Sequence, residues 1–265
     1  MAALSRLSRR QRARAFRGAQ YGVLVVAVVV LALVADWGTL REAFLDVDVI
    51  VAQFPEVLTT GLVNTVVYTL LGFGFGLALG LLLALMRLSQ VPPYRWLAVT
   101  YIEFFRGVPA LLVFIALGFG VPLAFEVSLD MYVTVMLALG LVGAAYIAET
   151  IRAGIRAVPR GQMEAARSLG MSYGRAMVSI VIPQAFRIVL PPLTNELILL
   201  TKDSSLVYLL GLSIGQYELA NQGRDALNEY KSLTPLLVAG LLYLLITLPL
   251  GHLVRRLEAR TAKAR

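Results

Sequence analysis

The sequence predicts an all-α integral membrane protein. Of its 265 residues, 58% are hydrophobic and 15% are charged, too little polar material to coat a soluble globule of this size. The apolar residues gather in runs of about 20, the length of a membrane-spanning helix. The chain has no cysteine and one histidine, His252, which excludes disulfides and thiolate metal sites and leaves little for acid/base chemistry.

Six apolar runs predict six spans. Five are continuous and one is interrupted by polar residues. In chain order they are residues 19–35, 61–86, 97–121, 131–151, the interrupted 188–214, and 233–253. Six spans place both termini on the same side of the membrane.

The distribution of charge predicts the orientation. With both termini in the cytoplasm, most of the 24 lysines and arginines lie inside, as the positive-inside rule expects. The basic residues outside are then Arg41, Arg224 and Lys231, among Asp36, Glu42, Asp46, Asp48, Glu56, Glu126 and Asp130. Topology therefore explains the net charge of +8, and we expect no nucleic-acid partner.

The first run has a basic stretch before a short apolar core, as a signal peptide does. Leu33 stands where a small residue is required three positions before a cut after Ala35, so we expect an uncleaved anchor. The loop at residues 41–58 alternates acidic and apolar residues. It is compatible with an amphipathic helix on the membrane surface and equally with a solvated connector.

A polar segment at residues 161–185 separates two apolar runs on the predicted cytoplasmic side. Apolar and charged residues recur at helical spacing on opposite faces: Met163, Ala166 and Leu169 against Glu164 and Arg167. At Gly170 a positive φ costs little free energy, because glycine has no side chain. Residues 173–180 can then begin a second helix at an angle to the first. The pattern predicts a short rigid elbow that needs a docking surface; an ordinary interfacial loop helix is the alternative.

Ionisable residues also lie within the predicted spans, where they are costly and usually functional. Glu103 and Arg106, three residues apart, can share a helix face, with a structural ion pair as the alternative. Five polar residues at 201–205 follow Arg187 at a depth past the middle of the bilayer. Such breaks are tolerated along a water-filled path, where Lys202 can receive a substrate carboxylate; a pair of Lys202 with Asp203 or with another helix is the alternative.

Four blocks of sequence occur in order. The residues Glu164-Ala165-Ala166 precede Gly170 and the run Ile180-Val181-Ile182-Pro183. The other blocks are YIEFFRGVP at 101–109, YIAETIRAGIRAVPRGQ at 146–162 and NELILLTKDSSL at 195–206. Together they resemble ATP-binding cassette (ABC) importer permeases of the polar amino acid uptake family, with the first block as the EAA loop. Ile182 stands where that family has leucine, and the DSS of the last block departs slightly from its pattern.

The resemblance runs from about residue 61 to the last span and implies a five-helix permease core with one extra N-terminal helix. Residues 1–60 lie outside the resemblance. The apolar runs and the charges predict a basic cytoplasmic tail at 1–18, an N-terminal span and extracytoplasmic loop at 19–60, and a basic cytoplasmic tail at 254–265, around a core at 61–253 with its coupling loop at 152–187. The expected location is the bacterial cytoplasmic membrane.

The function implied is inward transport of polar amino acids by alternating access, with ATP hydrolysis coupled through the EAA loop. The expected coupling residues are Gly161, Glu164, Ala165, Ala166 and Gly170. The expected substrate pathway consists of Glu103, Arg106, Asn195, Glu196, Lys202, Asp203, Ser204 and Ser205.

The expected partners are two ABC ATPase subunits, an extracytoplasmic solute-binding protein, and a second permease subunit that is either identical or similar. A phosphate-binding loop ends in Gly-Lys-Ser/Thr, whereas Lys202, Lys231 and Lys263 follow Thr, Tyr and Ala. We therefore expect a transport subunit that is not itself an enzyme and holds no cofactor, with ATP and Mg²⁺ bound by its partner. A secondary transporter and a membrane-embedded enzyme are the competing classes.

Overall fold

The computed structural model describes residues 9–127 and 129–263, and that part of the chain is entirely helical outside its turns. It forms two compact units, Met1–Val47 and Asp48–Arg265. Residues 1–8 and 264–265 of the predicted basic tails lie outside the described residues. The division falls earlier than residue 60, where the sequence placed it, and the predicted domain boundaries stay predictions.

The first unit contains two helices, α1 (Arg9–Val34) and α2 (Trp37–Phe44). The stretch Phe16–Val34 is long and apolar enough to cross a membrane. Asp36 caps α2 by accepting hydrogen bonds from the backbone N and the hydroxyl of Thr39, at 3.1 and 2.9 Å, and these bonds lower its pKa. Part of the loop after the first span is therefore helical, and its place on the membrane surface stays a prediction.

Within the described residues nine longer helices follow, along with a single 3₁₀ turn at Ile214–Gln216. They are α3 (Val47–Ala52), α4 (Val57–Leu88), α5 (Pro92–Gly107), α6 (Ala110–Phe125), α7 (Met131–Ala157), α8 (Arg160–Ser168), α9 (Tyr173–Leu210), α10 (Leu219–Tyr230) and α11 (Thr234–Lys263). With α1, the helices α4, α7, α9 and α11 are candidate spans among the described residues, and α5 with α6 makes a sixth if that pair is one span.

The predicted third span is two helices that meet at 103°. Val108 between them is extended, with φ −92° and ψ 133°. The ring of Pro109 disfavours a helical conformation at the residue before it and removes a backbone donor, so the helix cannot continue. Gly107 and Pro109 thus mark the break, and the sharp bend opens space beside it.

The α4–α7 pair is held by close contact between backbones. A Cβ atom at Gly76 of α4 would lie 3.2 Å from the carbonyl oxygen of Gly140 on α7, and one at Gly140 would lie 3.1 Å from that of Gly72. Small residues four apart allow two membrane helices to approach this closely. The two helices therefore form the centre of the second unit.

The polar interruption predicted in the fifth span is a change of helix type. Helix α9 is α-helical over Ile182–Asp203 and then tightens to a 3₁₀ form over Ser204–Leu210. Gly211, with φ +66°, ends it. The polar residues at 201–205 therefore coincide with the transition, where the backbone hydrogen-bond pattern changes.

Buried Glu218 fastens the segment between α9 and α11. Its carboxylate caps α10 by accepting hydrogen bonds from the backbone N–H groups of Ala220 and Asn221, at 2.8 and 2.7 Å. It also accepts a hydrogen bond from the phenol hydroxyl of Tyr243 on α11. The backbone N–H of Leu219 donates to Thr65 on α4 at 3.1 Å. One carboxylate thus joins α10 to α11 beside the start of α4.

This carboxylate makes stability depend on pH. Burial raises the pKa of Glu218 to about 7 from an ordinary value of 4.5. The folded protein then binds the proton more tightly than the unfolded chain, so the free energy of unfolding contributed by Glu218 falls as pH rises from about 4.5 to about 7. In nanodiscs, the stability of Glu218→Gln relative to the wild type should therefore increase as pH rises over this range, as measured by thermal unfolding. A difference in unfolding temperature that stays constant with pH would contradict this.

Candidate functional site

The elbow comprises residues 160–185, that is α8 and the first turns of α9. Gly170 has φ +86°, which confirms the positive φ predicted for it. Its N–H donates to the carbonyl of Arg167 at 3.0 Å, and the N–H of Met171 donates to that of Ala166 at 3.1 Å. This pair of bonds is a Schellman motif. Because a glycine supplies the left-handed residue, α8 ends sharply and α9 starts in a new direction.

One face of α8 is attached to the rest of the unit. Ala166 is buried, and Met163 packs against Val158, Val181 and Ala185. Leu169, predicted on this same apolar face, is 84% exposed. It is the C-cap residue, with ψ 8°, and so no longer follows the helical period.

The opposite face of α8 is open. The predicted coupling residues Gly161, Glu164, Ala165 and Gly170 are exposed, and Leu169 projects beside them. Glycine and alanine leave the helix backbone accessible to a close partner. The elbow is thus fixed to α7 and α9 on one side and free to contact another protein on the other.

A cavity of about 450 Å³ lies at the break between α5 and α6. Helices α7 and α9 form its other walls. Its lining residues are Arg106, Gly107, Val108, Pro109, Ala110, Val142, Gly143, Tyr146, Glu196, Leu199, Leu200 and Asp203. This volume is within the range of small-molecule sites.

The cavity contains charges of both signs. The guanidinium carbon of Arg106 lies 5.7 Å from the ring centroid of Tyr146, a cation–π contact. Glu196 on α9 interacts electrostatically with both Arg106 and Asp203. A guanidinium binds a carboxylate, and carboxylates bind an ammonium group. The cavity therefore has the groups to receive a small zwitterion.

Three of the eight predicted pathway residues, Arg106, Glu196 and Asp203, line this cavity, and the other five do not. Asn195 and Lys202 are exposed on the surface of the chain. Ser204 is buried and donates to the carbonyl of Thr201 at 2.7 Å, Ser205 is half-buried, and Glu103 is exposed. A substrate role for all eight stays a prediction.

An ion-pair cluster that we did not predict as a unit lies one turn from the cavity. Glu149 on α7 pairs with Arg87 at the end of α4, N to O 2.5 Å, and with Arg152 on its own helix at 2.6 Å. Glu103, which was expected to share a helix face with Arg106, has its Oε1 4.0 Å from Nη2 of Arg87. The signal available in the sequence was Glu149 and Arg152 at a spacing of three within a span.

Comparison with known proteins identifies the family. A family model described as the binding-protein-dependent transport system inner membrane component matches residues 76–263. The chain belongs to this family. Members of this family are components of the inner membrane, and the candidate spans agree with a multi-pass location there.

Proteins named as amino acid permeases are similar to this chain over most of their length. The arginine transport system permease protein ArtQ of Bacillus subtilis (strain 168) is 37% identical over 82% of this chain and 97% of its own. The glutamate/aspartate import permease protein GltK of Escherichia coli O6:H1 (strain CFT073) is 35% identical over 82% of this chain and 98% of its own. A crystal structure of an amino acid ABC transporter with histidines aligns at a TM-score of 0.74 and 33% identity, over 82% of this chain and 99% of that one.

A structure of much lower sequence identity has a similar fold. A bacterial ABC transporter that imports alginate aligns at a TM-score of 0.65 with 13% identity. At that identity the likeness concerns the fold alone. The all-helical permease architecture, together with the extra N-terminal helix, is therefore the fold of this chain.

Proposed function

We propose that this chain is the membrane subunit of an ATP-driven importer for a polar amino acid. The observation that carries the proposal is the elbow. Its helix α8 is exposed on one face and ends at a left-handed glycine, and it follows directly on α7, which forms one wall of the charged cavity. Relatives named for arginine, glutamine and glutamate/aspartate transport support amino acids as the substrate class. Their differing names leave the particular amino acid open.

The coupling partner is a pair of separate ATPase subunits that bind ATP and Mg²⁺. Gly161, Glu164, Ala165 and Gly170 form the surface on which they act, and Ala166, the fifth predicted coupling residue, is buried and holds α8 against the rest of the unit. ATP-driven closure of the ATPase dimer brings two elbows together and opens the cavity outward, where a binding protein delivers substrate. A second permease subunit, identical or similar, completes the path, and the present chain holds no cofactor of its own.

Inside the chain, the substrate passes the bend between α5 and α6. Arg106 receives the carboxylate, and Glu196 and Asp203 receive the ammonium group or a basic side chain. The bend keeps the path polar at a depth where a continuous apolar helix would close it. The exposed residues Glu103, Asn195 and Lys202 contribute from the rim or from the interface with the second subunit.

Uptake by proteoliposomes tests this function. The assay combines this chain with an ATPase and a binding protein encoded nearby. Labelled arginine, glutamine or glutamate is then added as the substrate. We expect accumulation of one of these amino acids that requires internal ATP. Accumulation driven by a proton or sodium gradient without ATP would favour a secondary transporter and contradict the proposal.

The orientation follows from the same proposal, with both termini and the elbow in the cytoplasm. The chain has no cysteine, so single cysteines can be introduced at exposed Ser168 on α8 and exposed Asn228 on α10. In intact cells an impermeant thiol reagent should label Asn228→Cys and spare Ser168→Cys. The reverse pattern would contradict the orientation, and permeabilised cells provide the control for both sites.

A further inference from the structure

The ion pair between Arg87 and Glu149 joins two helices at the ends nearest the elbow. Arg87 is in the last turn of α4, and Glu149 is about two turns from the end of α7. Arg152 donates from Nε to Oε1 of Glu149 at 3.0 Å and from Nη2 to Oε2 at 2.6 Å. Arg87 approaches Oε1 at 2.5 Å. The carboxylate is thus shared by one arginine of its own helix and one of another.

The contacts with Arg152 orient the Glu149 carboxylate independently of Arg87. A two-nitrogen contact from Arg152, three residues along the same helix, holds the Glu149 side chain in one orientation. The side chains of Arg87, Glu149 and Arg152 are 18–20% exposed, whereas Glu103, 4.0 Å from Arg87, is 63% exposed. Screening by solvent makes the Glu103 contact weak, so Glu149 is the main partner of Arg87.

The pair is not required to bring α4 and α7 together. Their middle parts already touch backbone to backbone at Gly76 and Gly140. The ion pair adds a constraint at one end, between the cavity and the elbow. On α7, Tyr146 lines the cavity one turn before Glu149, and Ala157 is separated from α8 only by Val158 and Pro159.

We infer that Glu149 is a positioning residue, which makes the inner end of α4 move with α7 when the elbow is displaced. The inference rests on the proposed function. Without the pair, displacement of the elbow moves α7 but not the inner end of α4. ATP is then hydrolysed without a matching rearrangement of the cavity. The quantity that reports this role is the number of substrate molecules transported per ATP hydrolysed.

The test compares Arg87→Met, Glu149→Gln and the double variant in assembled complexes in proteoliposomes. Each single variant should lower transport per ATP by about tenfold, and the double should be no worse than either single because both remove the same interaction. Arg87→Lys keeps the charge and should restore most of the ratio. Arg95→Met is the matched control, since Arg95 is an exposed arginine in the first turn of α5.

Two results would overturn the inference. One is an unchanged transport-to-ATP ratio in the assembled variants, including the case in which the amount of assembled complex falls, because the pair would then serve stability alone. The other is a double variant whose fold-loss is the product of the two single fold-losses, as independent effects would give. Wild-type proteoliposomes assayed in parallel separate these from failure of the proposed function, which would abolish ATP-driven uptake in the wild type itself.

Discussion

Gly170→Val should abolish most transport while leaving the protein inserted in the membrane. A β-branched residue at φ +86° costs about 1–2 kcal/mol more than glycine, which corresponds to a roughly 5- to 30-fold loss of the correctly bent elbow. Since no Cβ contact lies within 4 Å of Gly170, the effect arises from the backbone conformation and not from a clash. Uptake and substrate-stimulated ATPase activity measure it.

Gly174→Val is the matched control for this prediction. Gly174 is also exposed, it also has no neighbour within 4 Å of an added Cβ, and its φ is in the ordinary range. Its variant should retain most of the transport activity. If Gly170→Val couples as well as Gly174→Val does, the elbow does not dock in the way proposed.

Arg106→Met should cause the other large loss. Arg106 is the one cation among the described residues that line the cavity, so its removal leaves Glu196 without the positive charge it interacts with and the substrate carboxylate without a partner. Loss of a charged hydrogen-bond partner of this kind corresponds to about 10- to 100-fold in transport. Assembly with the ATPase and basal ATP hydrolysis should persist.

Lys202→Met distinguishes between the two candidate cations. Lys202 was the residue expected to receive the carboxylate, and it is exposed outside the cavity. Removal of its charge should therefore affect transport less than Arg106→Met does. A larger loss for Lys202→Met, with normal assembly, would assign the carboxylate to Lys202 and contradict the role given to Arg106.

The spans and the bend of the elbow were predictable because they depend on local sequence. Length and hydropathy mark each span, and a glycine after a short amphipathic helix marks a positive φ, as Gly170 confirms. Leu169 was placed on the wrong face because helical periodicity no longer applies at the C-cap. Helical periodicity therefore predicts which face a side chain occupies up to the last helical residue and not beyond it.

The cavity and the ion pair were not predictable in the same way. Gly107 and Pro109 indicate a weak point in a helix, but hydropathy contains no information on the 103° bend that opens the cavity. Arg87 and Glu149 are far apart in sequence and meet only because glycines allow α4 and α7 to pack closely. Contacts between distant segments depend on that packing, which a single sequence does not specify.

The central claim is that a separate ATPase acts through this chain. Its most direct test is the ATPase activity of the assembled complex in nanodiscs, with and without substrate-loaded binding protein. We expect hydrolysis to rise when the loaded binding protein is added, and to rise only when this chain is present with an intact elbow. Equal hydrolysis with and without the chain, or stimulation that persists in Gly170→Val, would contradict the claim.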